Sequence, residues 1–291
     1  MKVGFLKILQ GRPFGLAFAF AAILCVAYAV NNRLGSDLLL QTKYFVIIVV
    51  PAIVATVFQI RRKPRQWPYS LRQSGIPLGI FCSALCATEF FGNMNDPDDI
   101  LSSIAGSMLG VFYGGAVTAL GVVCAKQSQM FVEKKQGKAS TKKYGLTALV
   151  FCVLIAVAVV SHGALWYFTN KDAWLIFTGL LGLSLAYHGF KPDIEDQLNS
   201  IIICMLAVTL VTLCAWLLAA NEPEAIGATL GFAMAGWCLT SALLSAIALS
   251  TPPDKVTGQI IGRANWHALE IYGLFFLIVL APPSLIEIIT K

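Results

Sequence analysis

Between Ile76 and Ala125 the chain carries two long apolar runs joined by one short acidic turn, Asn93-Met94-Asn95-Asp96-Pro97-Asp98-Asp99. Each run is long enough to cross a hydrocarbon core of about 30 Å, which takes roughly 20 apolar residues in a helix. The pair therefore reads as a transmembrane helical hairpin. The turn also predicts where the second helix starts. Asp96 is placed to accept hydrogen bonds from the orphan N–H groups of the first turn, and Pro97 suits the first helical position because it has no N–H to waste there. Asp98 and Asp99 then lie at the positive end of the helix dipole. Gly106, Gly110 and Gly114 recur every four residues along this helix, a strip without side chains that lets helix backbones approach closely in lipid. Such a strip serves either ordinary bundle packing or the packing face of an oligomer.

The rest of the chain follows the hairpin into the membrane. Of 291 residues, 57% are hydrophobic and 12% charged, and the mean hydropathy is +0.75. A water-soluble fold has no way to hide that much apolar surface. Hydropathy divides the chain into nine spans, at about 14–30, 43–60, 75–92, 101–125, 145–168, 173–190, 200–220, 225–250 and 268–286. The expectation is an all-α polytopic membrane protein. With the N-terminus cytoplasmic, 17 of the 21 Lys and Arg residues fall on inner segments, and only Arg33, Lys43, Lys171 and Lys291 fall outside. The positive-inside rule supports that orientation, with a periplasmic C-terminus. The net charge of +6 is thus an orientation signal and makes no case for nucleic acid.

Lys2, Lys7 and Arg12 precede an apolar run that ends Ala27-Tyr28-Ala29, which imitates a secretory signal and its cleavage site. Retention as the first helix is expected, because cleavage would leave the repeat described next one helix short. All eight cysteines lie within apolar spans, where a thiol acts as a small hydrophobe. No disulfide framework, zinc pattern, P-loop, dinucleotide fingerprint or HExxH motif is visible. The reading is therefore of a protein without a cofactor that is not an enzyme.

The four-span plan occurs twice. Sliding the chain by 126 residues lays Asn95-Asp96-Pro97-Asp98 on Asn221-Glu222-Pro223-Glu224, and it carries Met108, Gly110 and Ala116 onto Met234, Gly236 and Ala242. Glu222 and Pro223 are thus the second helix cap, and Gly231 and Gly236 the small packing positions of the helix that follows. Four spans per unit make this a parallel repeat. The expected domains are a first repeat over 1–125, a basic cytoplasmic linker over 126–143, a second repeat over 144–251, and a cytoplasmic loop with a ninth helix over 252–291.

Pro77, Leu78-Gly79, Cys82-Ser83, Asn93-Met94-Asn95-Asp96-Pro97 and Phe112-Tyr113-Gly114 fall where similar residues stand in one family. In these residues the hairpin resembles the MotA/TolQ/ExbB family of bacterial inner-membrane proton or sodium channel subunits. The resemblance implies a ring of subunits around a single-helix partner of the MotB/ExbD/TolR type, whose membrane carboxylate carries the ion past hydroxyls of the ring. The family's third-helix threonine falls at Ser83 and, by the repeat offset, at Thr209. These hydroxyls either line an ion path or bond back to their own helices. Glu89, near the outer end of helix three, lies either at an ion exit or at the headgroups. Glu270 opens helix nine beside Trp266 and His267. It is either an interfacial carboxylate or the proton carrier of a built-in stand-in for the partner helix.

The departures are equally specific. The fourth-helix threonine becomes Val111 in the first copy and Trp237 in the second, and the large cytoplasmic domain of MotA shrinks to about Arg61–Ser74. The functional expectation is an oligomeric, stator-type ion-channel subunit of the bacterial inner membrane, engaged in ion-motive-force-driven work or its assembly. Its alternatives are a non-conducting structural subunit of a larger complex and a secondary transporter with parallel repeats.

Overall fold

The structure, a computed structural model, describes residues 47–48, 51–53, 67–92, 97–126, 141–162, 171–187, 193–219, 223–251 and 255–289. The first predicted span, the helix caps Asp96 and Glu222, and most of the basic linker lie outside the described residues. Seven long helices are described: α1 (Trp67–Gly92), α2 (Pro97–Lys126), α3 (Thr141–His162), α4 (Lys171–Tyr187), α5 (Ile194–Ala219), α6 (Pro223–Ser250) and α7 (Lys255–Ile289). Among the described residues there is no strand. Two of the helices contain stretches long and apolar enough to cross a membrane, Ile194–Cys214 in α5 and Ala233–Ser250 in α6.

Helices α2 and α6 begin at Pro97 and Pro223, as the two Pro-led turns predict. Helices α1 and α7 differ from expectation, because they start inside segments read as inner loops. Hydropathy cut both short at Ser70, Gln73, Ser74, Thr257 and Asn265, yet all five polar side chains are buried. The two polar ends meet at the Asn265–Gln73 hydrogen bond, and packing by neighbouring helices keeps these side chains from water.

The α1–α2 hairpin packs at backbone distance. A Cβ built on Gly110 would lie 2.7 Å from the Ser83 nitrogen, and one on Gly114 would lie 2.6 Å from the Gly79 Cα. Gly121 meets the Arg72 backbone in the same way. Partners that descend on α1 as they rise on α2 make the pair antiparallel. The predicted glycine strip is therefore used inside the hairpin, with Gly106 buried beside it. The second hairpin keeps the register that the repeat offset demands: Gly110 faces Cys82 and Ser83, while Gly236, its counterpart, faces Val208, the counterpart of Cys82. There the valine side chain, not backbone, fills the contact.

The surroundings of the two hairpins diverge. Among the described helices α6 packs against α1, α3, α4 and α5, whereas α2 packs chiefly against α1. Met108 is accordingly 58% exposed, and its repeat counterpart Met234 only 1%. One core includes Ile47, Ile48 and Ala52 from the first half with Leu198, Met205 and Trp237 from the second.

Helix directions follow from three polar contacts. Asn265 bonds to Gln73 and Tyr272 to Ser83, so α7 runs parallel to α1. Thr147 near the start of α3 bonds to Ser250 at the end of α6 at 2.6 Å, so those two are antiparallel. An alternating path through a membrane gives these same senses.

Candidate functional site

Helices α1, α6 and α7 meet at a buried polar and aromatic cluster. Ser83 on α1 shares a 2.8 Å hydrogen bond with the phenol of Tyr272 on α7. Helical spacing explains why Tyr272 faces inward, since Thr257, Ile261, Asn265, Ala268, Tyr272 and Phe275 recur every three or four residues and all are buried. From α6, Trp237 covers the pair. Its ring lies 4.9 Å from Tyr272 at 68° and 5.7 Å from Phe275, edge-to-face and tilted arrangements that suit aromatic quadrupoles. Trp237 is fully buried, and its indole N–H finds no hydrogen-bond partner among the described residues.

Around this centre the residues singled out from the sequence do not converge. Ser83 is spent on Tyr272. Thr209, buried on α5, donates to the Met205 carbonyl at 2.9 Å, the back-bonding usual for hydroxyls in membrane helices. Thr212, Thr240, Ser241 and Ser245 do the same. Glu270 faces outward from α7 and meets His267 at 3.2 Å, with both side chains more than half exposed. Glu89 lies on α1, and its side chain is outside the described residues. Gly231 lies within α6. Among the described residues no group of three or more His, Cys, Asp or Glu is placed to hold a metal.

A second polar cluster lies toward the starts of α1 and α7. Pro77, in the interior of α1, has no N–H to donate to the carbonyl four residues earlier, which belongs to Gln73. The Asn265 side chain supplies the missing donor, with Nδ2 2.7 Å from that carbonyl oxygen. From the sequence, Pro77 stands inside the third span as part of the family resemblance and Asn265 falls in the segment read as a cytoplasmic loop, so nothing there joins the two. The available signal was the pairing of a proline with a polar residue on the inward stripe of another helix.

This contact makes a sharp prediction. Asn265→Leu leaves a buried carbonyl without a donor and is expected to cost about 1–3 kcal/mol. In a Pro77→Ala background the helix itself regains that hydrogen bond, so the same substitution should cost less. A double-mutant cycle by reversible unfolding in detergent measures the difference, and additive costs would contradict the assignment.

No family model, curated protein or solved structure matches the chain. The fold and site define its class: an all-helical protein with membrane-capable helices and a closed polar and aromatic core.

Proposed function

We propose that the chain is a nine-span inner-membrane protein of MotA/TolQ/ExbB-like repeat design, with the N-terminus cytoplasmic, that serves as a non-conducting structural subunit of a larger membrane complex. The observation carrying this reading is the Ser83–Tyr272 hydrogen bond under Trp237. Helix α7 lies against the hydroxyl that the resemblance assigns to the ion path, as a partner helix would, but it presents a phenol there and turns Glu270 outward. An ion crossing a membrane needs a continuous series of polar groups to replace its water. Between the polar start of α1 and Ser83, the residues Leu78, Ile80 and Phe81 are fully buried and apolar. Exposed Leu149, Val160, Leu175 and Leu183 on α3 and α4 form an apolar outer surface, for which lipid is the natural solvent.

The conducting reading keeps one favourable observation, the hairpin register shared by both repeats. Reconstitution in liposomes separates the two. Proton and sodium flux should match that of empty vesicles, and Glu270→Gln should change nothing, because an exposed pair of this kind contributes about 0–1 kcal/mol and lies off any interior path. Flux above background that falls on Ser83→Ala would refute the structural role in favour of a channel.

A further inference from the structure

We infer that the seam between the first turns of α1 and the matching part of α7 is a binding site for ordered water, a role independent of whether the chain conducts. Two buried oxygens in this seam, Gln73 Oε1 and Asn265 Oδ1, and a third one turn away on α1, Ser70 Oγ, have no hydrogen-bond partner among the described residues. Their residues are at most 3% exposed. Ser70 and Gln73 are one turn apart and share a face of α1. The Gln73 amide reaches α7, where its nitrogen would sit 3.0 Å from a Cβ on Gly258, while Asn265 is bonded to the Gln73 backbone. That bond also fixes the orientation of the Asn265 amide: its nitrogen is committed to a carbonyl, so its oxygen is the atom left over.

The chemistry of the three groups selects the occupant. Two are amide oxygens, which only accept, and the third is a hydroxyl, which accepts or donates. Only a species that brings hydrogens or positive charge satisfies them. A divalent cation is disfavoured because, among the described residues, the seam contributes no carboxylate, and a soft metal because it contributes neither thiol nor imidazole. The electrostatic field argues against a monovalent cation. Helices α1 and α7 both begin toward this end, with their positive dipole ends on that side, and the cationic residues Arg72 and Arg263 are within two residues of Gln73 and Asn265 in sequence. Water remains, donating to the amide oxygens and accepting from Ser70, in a site polar enough to hold it.

The test is a map of the full chain in nanodiscs, resolved well enough to show ordered water, recorded once in sodium chloride and once in choline chloride. Peaks at hydrogen-bond distance from Gln73 Oε1 and Asn265 Oδ1 are expected in both salts, with one midpoint of thermal unfolding. In Gln73→Met the peak at residue 73 should vanish and that at Asn265 persist. Lack of density at these atoms, in a map showing other buried waters, would overturn the assignment. So would density and thermal stabilisation that require sodium, which would make the occupant a cation. Should Gln73→Met fail to fold, the wild-type maps in the two salts still decide.

Discussion

Gly114→Leu should abolish the folded protein. The Gly114 backbone rests on Gly75 and Gly79, and even a single Cβ there would sit 2.6 Å from the Gly79 Cα and 2.9 Å from its nitrogen. The opposing atoms are backbone, so no rotamer change relieves the clash and the helices must separate. Overpacking ordinarily costs about 1–3 kcal/mol where side chains can adjust; here they cannot, and the loss should exceed that range. Separation would also remove the close contact at Gly110 and Gly121, which share the interface. The expected result is loss of the monodisperse peak on size exclusion in mild detergent. Gly115→Leu is the matched control, because a Cβ at Gly115 meets nothing within 4 Å, and it should behave as wild type.

Trp237→Ala should be the most damaging truncation in the core. Trp237 heads the fully buried large side chains and touches both Tyr272 and Phe275, so its removal opens a cavity where α6 and α7 meet. Large aromatic truncations of this kind cost about 3–5 kcal/mol. Trp237→Phe should cost much less, about 1–1.5 kcal/mol, since the indole N–H has no partner to lose among the described residues. Thermal unfolding of the two variants checks the contrast. Equal losses would mean that the indole nitrogen is engaged after all, and that the core is not held by aromatic packing alone.

The two substitutions concern positions that sequence reading treated very differently. Gly114 was legible as a packing position because glycines four apart mark a bare helix face, and the only open matter was what lay against it. Trp237 looked like a lapse, a bulky residue where a family resemblance asks for threonine. In the structure it is the lid over Ser83 and Tyr272, and no local pattern reveals that, because its partners lie on α1 and α7, far away in sequence.

Read from the chain alone, the helical class, the two Pro-led starts at Pro97 and Pro223, and the register linking Gly110 to Gly236 were all accessible, since each depends on neighbours within a few turns or on a fixed offset. Which neighbours each helix takes was not. Hydropathy makes α2 and α6 alike, yet among the described helices α6 packs against α1, α3, α4 and α5 while α2 packs chiefly against α1, a choice set by contacts between segments remote in sequence. The same holds for the polar starts of α1 and α7. Ser70, Gln73 and Asn265 look like loop residues because an isolated helix would expose them, and they become interior only when neighbouring helices pack over them. Local composition fixes what a segment is able to be; the free energy of mutual burial decides where it goes.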